Sequence, residues 1–390
     1  MSATTPAHVV IIGGGPAGLT AATGLRALGV GRVTVLDREQ QMGGIPRHTD
    51  HLGFGVRDLH RLMTGPNYAR RLVTRAEECG VELRSSTTAA AIDGTAVTLT
   101  NGERMQADAV VLATGVRERP RAARLVPGDR PAGVFTTGTI QQLTALHHRS
   151  IGRRGVIVGA EHVSFSAIWT LRHGGCTPVA LVTELPRHQT LAPLRLATAT
   201  RYRVPIITGA SVSQIIGHTR VEAVLLSNGR RLDCDTVVFT GDWIPDHEIV
   251  RRAGLAMTPH AGSPTVTQTF QTSSPGVFAL GNLVHPAETA DVCALDGRSV
   301  AAAVVRWLAD RKWPSNVDAI AVEAPVLWAA HSSHGVTARV TEVIHGRLQL
   351  LADGHVVATT RRRQLVPHRA ILLRAAVSPV ARLMVRLAEG

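Results

Sequence analysis

The chain has 390 residues, 44% hydrophobic and 18% charged, which is ordinary globular usage with apolar material for two or three domains. Its 42 basic residues, all arginine except Lys312, outnumber 29 acidic ones and give a formal net charge of +13. The arginines are scattered, aromatics are 3% and no recognition motif accompanies them, which excludes nucleic acid and points to acidic proteins or anionic small molecules.

Residues 1–7 are short and mostly uncharged, with no signal-peptide pattern, and no apolar run approaches the roughly 18–20 residues that span a bilayer. The expectation is a cytoplasmic chain with no transmembrane segment. A strand at residues 9–12 runs into Gly13, Gly15 and Gly18 and then an Ala/Leu-rich helix. Gly13 permits the tight turn, Gly15 lets the backbone approach a pyrophosphate, and Gly18 lets helix and strand pack closely. Pro16 and Ala17 open the helix, whose N-terminus faces the phosphates. A second strand, 33–36, ends at Asp37, 19 residues beyond Gly18, with Arg38 beside it. That is near the roughly 20 residues expected for an acid that binds a ribose hydroxyl pair. Strand, glycines, helix, strand and acid together read as a dinucleotide-binding fold.

The loop that follows, residues 41–55, has no helical or strand period. Gly43-Gly44 lets the backbone approach a flat ring, and Arg47 suits negative charge developing on it. His48 and His51 are the candidate proton carriers, since histidine titrates near neutrality. Neither has a third ligand nearby in sequence, so no metal site is expected.

Residues 99–115 (LTNGERMQADAVVLATG) and 226–241 (LSNGRRLDCDTVVFTG) are diverged copies. In each, Asn-Gly turns a hairpin and an aspartate opens an apolar strand that ends in Thr-Gly. Thr114-Gly115 is expected against the ligand, and the 117–121 run RERPR reads as a solvated crossing into a second domain. Residues 154–175 repeat the strand-turn-helix opening, and 177–184 repeat the second strand with its acid. The copy keeps Gly159 but carries Glu161 and Ser164 where the second and third glycines belong. A carboxylate at 161 places negative charge where a pyrophosphate should lie, so NAD(P) binding is expected to be weak or absent.

A strand at 277–280 then reaches Gly281-Asn282. Asn282 supplies an acceptor oxygen at the end of that strand; in flavoproteins, which this closing turn resembles, an acid at this position accepts from the ribityl chain. A helix beginning about Thr289 and Ala290 aims its N-terminus at the pyrimidine edge of a flavin, where its dipole favours the anionic reduced form. In the tail, Asp353-Gly354 between apolar alternations signals a hairpin. Residues 369–387, apolar with spaced arginines and broken by Pro379, read as a docking or packing segment. Cys79, Cys176, Cys234 and Cys293 form no C-x-x-C pair and no iron-sulfur cluster spacing, so a disulfide relay is excluded and the thiols read as small hydrophobes.

The two-domain plan resembles the FAD-dependent pyridine nucleotide-disulfide oxidoreductase superfamily. Within it, GGIPRH, GPNYARR, ATGVRERPR, LVPGDRPAGVFTTG, VGAEHVSFSA, GDWIPDHE and GNLVHPAETADVCALDGR are similar to alpha-type subunits of multi-subunit amine and amino-acid dehydrogenases. These include opine oxidase, hydrogen cyanide synthase, dye-linked proline dehydrogenase and heterotetrameric sarcosine oxidase. The resemblance covers about residues 9–307. It implies FAD as cofactor, held by Gly13, Gly15, Pro16, Ala17, Gly18, Asp37, Arg38, Gly44, Thr114, Gly115, Gly281, Asn282, Thr289 and Ala290. It further implies two partners, a small iron-sulfur protein plus a second flavoprotein subunit, with an amine or amino acid as substrate.

The expected fold class is α/β, with two Rossmann-like domains. The FAD domain is split, 1–118 and 266–315, the NAD(P)-like domain is inserted at 119–265, and 316–390 form a small C-terminal domain. The leading functional expectation is an FAD-dependent redox subunit for the oxidation of C–N bonds, with Arg47, His48 and His51 nearest the ring. The alternatives are a self-sufficient NAD(P)H-dependent reductase of ferredoxin-like or small-molecule acceptors, and an assembly subunit that holds a nucleotide structurally.

Overall fold

A computed structural model describes residues 6–286, 288–378 and 381–388, which leaves Pro379 outside the described residues. The chain divides into two compact units. The first contains residues 1–47, 52–116 and 245–390, and the second contains 48–51 and 117–244.

The first unit is built on a five-stranded parallel sheet. Its spatial order is Val277–Ala279, Ala109–Leu112, His8–Ile12, Arg32–Leu36 and Glu82–Arg84. Its strands are nearly continuous runs of Val, Ile and Leu because both faces are covered. Val9, Ile11, Val33, Val35 and Phe278 pack on one side with Leu19, Leu25, Leu72 and Val304 from three helices. Val10, Ile12, Leu36, Leu112 and Ala279 pack on the other with Val97, Leu99, Val250 and Trp328. The glycine helix (Pro16–Ala27) and the closing helix (Ala290–Asp310) cross where small residues meet. A Cβ on Gly297 would lie 2.3 Å from the Ala17 carbonyl oxygen, and one on Gly24 would lie 3.0 Å from the Ala301 Cβ.

The second unit repeats this order with Val134–Thr136, Thr236–Phe239, Arg154–Val158, Thr177–Val182 and Ile206–Ile207, all parallel. Both Asn-Gly hairpins are present, pairing Thr98 with Arg104 and Leu225 with Arg231. The chain returns to the first unit at Pro245 rather than near 266, because Val250, Leu255, Ala261 and Val266 join the first unit's core. The run at 117–121 is not solvated throughout: Glu118 and Arg121 are buried. The Arg121 guanidinium is consumed by the carbonyls of Val126, Pro127 and Asp129.

The tail folds as β-structure within the first unit and has its own core around Val326, Ala338, Leu350 and Val385. Asp353 (φ 49°) and Gly354 (φ 81°) turn the expected hairpin between Leu348–Ala352 and His355–Thr359. The segment at 369–387 supplies two strands, Ile371–Leu373 and Leu383–Leu387. Among the described residues, no helix is long and apolar enough to cross a membrane.

Candidate active site

The sheet order of the first unit reverses between His8–Ile12 and Ala109–Leu112, and the crevice at the carboxyl ends of such strands is where open α/β sheets bind ligands. Gly13 turns the chain there with φ 112°, and a Cβ on it would stand 2.3 Å from the Ala113 carbonyl oxygen. A Cβ on Gly18 would stand 1.9 Å from the Gly13 carbonyl oxygen. Gly15 is the N-cap of the glycine helix, with Pro16 at its first turn, no acidic residue there and no side-chain cap. The nearest atom to a Cβ at this position is the Gly44 Cα, 3.9 Å away. The helix therefore presents uncapped N–H groups and the positive end of its dipole, which fits a pyrophosphate.

The two distant segments meet at this point. Gly281, with φ 67°, would place a Cβ 2.9 Å from that of Ala17, so the closing turn seats directly on the first turn of the glycine helix. Gly44 (φ 63°) lies against Gly15, and Gly43 N–H donates to the Gly14 carbonyl at 2.8 Å. Asp37 accepts from the backbone of Gly14 at 2.7 Å and of Glu39 at 2.9 Å. A carboxylate has about four lone-pair sites, so acceptor capacity remains for ribose hydroxyls. Arg38 pairs with Asp246 at 3.1 Å. Thr114 Oγ1 donates to the Asp246 carbonyl at 2.7 Å, which ties the Thr114-Gly115 turn to the returning chain. Asn282 closes its own loop, accepting from Glu288 N–H at 2.8 Å and donating to the Glu288 carbonyl at 3.1 Å. Thr289 is the N-cap and Ala290 the first residue of the closing helix.

The catalytic candidates are assigned to different units. Arg47 belongs to the first unit, donates to the Gln41 carbonyl at 2.7 Å and pairs with Glu39 at 3.4 Å, while its Nε is buried with no partner among the described residues. His48 and His51 belong to the second unit, where the His51 ring packs on Trp169 at a centroid distance of 5.2 Å. The cysteines are free thiols, and burial pushes Cys176 up to about 11 and Cys234 up to about 12. Neither of these two is a thiolate at neutral pH. No cluster of three or more His, Cys, Asp or Glu that could hold a metal occurs among the described residues.

Two features, and the packing around a third, escaped the sequence reading. Asp291, in the first turn of the closing helix, is buried and accepts from Arg57 N–H at 3.1 Å. Its charge offsets part of the dipole assigned to that helix end. The second is a fully buried ion pair between His285 and Asp296, whose carboxylate also accepts from Ser333 N–H at 2.8 Å. Burial opposes charge on His285, but the Asp296 carboxylate outweighs it and holds the imidazole above its usual pKa.

The third lies in the second unit. Gly159 turns with φ 140°, and a Cβ there would lie 2.0 Å from Thr240 Oγ1 and 3.0 Å from Glu161 Oε2. Glu161 is buried; its carboxylate accepts from Ala160 N–H at 2.9 Å and from the Thr240 hydroxyl at 2.5 Å, and Ser164 reaches the same hydroxyl at 2.6 Å. The loop after Thr177–Val182 folds over this end of the helix His162–His173. Gln189 N–H donates to the Ala160 carbonyl at 2.8 Å, Thr190 hydrogen-bonds His162 at 2.9 Å, and both Gln189 and Thr190 are buried. These residues fit FAD in the first unit and do not fit a dinucleotide over Gly159.

Burial raises the neighbouring Glu118 carboxyl from 4.5 to about 7, against hydrogen bonds from Gly138 and Gly241 N–H and with Glu161 adding to the rise. The folded state thus keeps a proton that the unfolded chain releases. The associated stability is present below about pH 4.5 and is lost as pH rises through about 7. The difference amounts to about 3 kcal/mol. Urea midpoints of the wild type should fall between pH 5 and 8, and Glu118→Ala should flatten that dependence; equal slopes in both proteins would contradict the assignment.

With this geometry in place, the class is an α/β flavoprotein oxidoreductase built from two dinucleotide-binding folds. The chain belongs to the pyridine nucleotide-disulphide oxidoreductase family, whose profile matches residues 7–299. FAD is the cofactor of this family, and many members also use NAD(P)H. The chain is 30% identical over 290 residues to the ferredoxin reductase component of chlorobenzene dioxygenase from Cupriavidus sp. (strain PS12), covering 70% of this chain and 66% of that protein. It is 25% identical over 316 residues to a subunit of opine oxidase from Agrobacterium tumefaciens (strain Ach5), covering 70% and 60%. Thioredoxin reductase of T. acidophilum shares the fold, with a TM-score of 0.66 at 20% identity over 78% of this chain and 98% of the other. The chain spans about two thirds of the length of the curated relatives it matches.

Proposed function

We propose that this chain is the FAD-holding redox subunit of a multi-subunit amine or amino-acid dehydrogenase. The observation that carries the proposal is the filled second crevice: Glu161, Ser164, Thr240, the Gln189 backbone and the Thr190 side chain stand where a nicotinamide dinucleotide would need room. Electrons then have to arrive from a substrate or another subunit. The likeness to the opine oxidase subunit supports the same reading.

Bound FAD supplies a two-electron acceptor that can pass electrons on one or two at a time. In this proposal the glycine-helix N-terminus and Gly44 hold its pyrophosphate, Asp37 its adenosine ribose, and the Gly281-Asn282 turn the ribityl side. Thr114-Gly115 pack below the ring system, and Thr289-Ala290 lie at its pyrimidine edge. Arg47 places a fixed positive charge in the Gly-rich loop, where it stabilises anionic character. His48 and His51 are the proton carriers. The amine is bound with a second flavoprotein subunit, and electrons leave through a small iron-sulfur protein.

Co-expression with the neighbouring reading frames tests this. The purified complex should reduce an artificial dye with a secondary amine or amino acid, and Gly18→Ala in this chain should abolish dye reduction. A complex equally active without flavin in this chain would overturn the proposal.

The relative at 30% identity favours a second reading, an NAD(P)H-dependent reductase of a ferredoxin-like acceptor. It requires the 185–190 loop to leave the helix end and Glu161 to surrender its hydrogen bonds.

A further inference from the structure

The hairpin Leu52–Phe54/Met63–Thr64 and the turn it encloses carry an unusual surface. Leu52 is 56% exposed, Val56 49% and Leu62 63%, three large apolar side chains within eleven residues of one another. The hairpin and its turn, residues 52–64, hold two arginines, Arg57 and Arg61, and one acid, Asp58; the helix that follows adds Arg70, Arg71 and Arg75 and ends in the exposed acids Glu77 and Glu78, and Asp50 is exposed just before the hairpin. The arginines are exposed, whereas Asp58 is buried. Neither Arg57 nor Arg61 makes an ion pair among the described residues.

This surface is tied down by hydrogen bonds. Gly55 carbonyl accepts from Leu59 N–H at 3.2 Å and Arg61 N–H at 3.0 Å, which folds the turn onto itself. Beneath it Asp58 accepts from the Tyr68 hydroxyl at 2.7 Å, and Arg298 of the closing helix donates to the Asp58 carbonyl at 2.8 Å. Arg57 N–H is bound by Asp291 in the first turn of that helix. Exposed leucines and valine in one turn with Arg57 and Arg61, and with no lysine and no exposed acid inside it, match the composition of interfaces rather than of ordinary surface. A preorganised face also loses little entropy on association.

We propose that this face, with Leu52, Val56 and Leu62 at its centre and Arg57, Arg61 and Arg70 at its rim, docks an acidic protein partner. The charge pattern selects the partner: a turn whose exposed charges are Arg57 and Arg61, with its one acid Asp58 buried, repels another basic chain and attracts a carboxylate-ringed apolar patch. Its location gives docking a purpose, because the turn is hydrogen-bonded to the helix end that the proposed function places at the flavin's edge. The inference deepens that proposal and rests on it for the identity of the process, electron transfer between subunits.

The test uses the full FAD-loaded chain and, as probe, a strongly acidic two-iron ferredoxin. Binding should weaken steadily with added salt. Arg57→Glu with Arg61→Glu should cut affinity at least about ten-fold and lower the salt slope, whereas Leu62→Ser should weaken binding and leave the slope unchanged. Flavin content and melting temperature serve as folding controls, since these side chains are exposed. Wild-type affinity in all the variants would overturn the proposal. So would self-association of the chain that disappears in Leu62→Ser, which would make a second copy the occupant. Prompt flavin reduction by NADH with loss of probe binding in the variants would sink the amine-dehydrogenase reading and keep the docking face. The reverse pair of results would do the opposite.

Discussion

Gly15→Glu is expected to yield a folded, colourless protein. Gly15 has extended backbone angles (φ −82°, ψ −174°) that any residue adopts, and a side chain at this position finds its first neighbour only at 3.9 Å. The polypeptide therefore tolerates the substitution. Its carboxylate would stand at the helix end assigned to the pyrophosphate, as Glu161 does in the copy. Two like charges about 4 Å apart at an effective dielectric of about 20 repel by about 4 kcal/mol, which corresponds to roughly 10³ in FAD affinity. Gly15→Ala should keep most of its flavin, because it adds bulk without charge. Gly18→Ala should not, because its methyl group would collide with the Gly13 carbonyl at 1.9 Å. Flavin per chain, read from visible absorbance alongside circular dichroism, checks all three, and a yellow Gly15→Glu protein would contradict the site.

Asp296→Asn is expected to be the most destabilising single substitution among the polar residues of the first unit. The His285–Asp296 pair is wholly buried, and removing one partner of such a pair leaves an uncompensated charge that typically costs about 3–5 kcal/mol. Because the imidazole is held above its usual pKa, the pair's stability is present below the ordinary histidine value and fades as pH rises through the folded one. The double substitution His285→Asn with Asp296→Asn should cost less than Asp296→Asn alone, since neither charge remains. Chemical denaturation of the wild type and the two variants at low and high pH decides it; an Asp296→Asn protein as stable as the wild type would refute the pairing.

Much of the first unit could be read from residues because its information is local. Gly13, Gly15 and Gly18 follow a strand and open a helix; Gly13 and Gly18 each answer to one close backbone approach, and Gly15 leaves the helix end open. The copy was legible for the same reason, through Asn101-Gly102 and Asn228-Gly229 and the aspartate-headed strands after them. What could not be read is non-local or carried by backbone. The Glu161 carboxylate in the second crevice was visible as a residue type, but the 185–190 loop that covers it acts through Gln189 N–H, which has no sequence signature. The burial of Glu118 and Arg121 contradicts their solvated appearance because Arg121 spends its charge on three carbonyls of its own chain. His285 and Asp296 lie eleven positions apart across a turn and a helix, so no short motif announces them. Residues 369–387 show apolar positions with spaced arginines, a pattern shared by a docking segment and by packed strands, and the tail's core settles it as strands, Leu383–Leu387 lying between two neighbours.

The most direct test of the whole account is the visible flavin spectrum of the purified chain recorded anaerobically before and after a stoichiometric addition of NADH. The prediction is a chain carrying one FAD whose oxidised absorbance stays unchanged. A protein that cannot take up FAD would contradict the first half of the claim, and prompt bleaching by NADH would contradict the second.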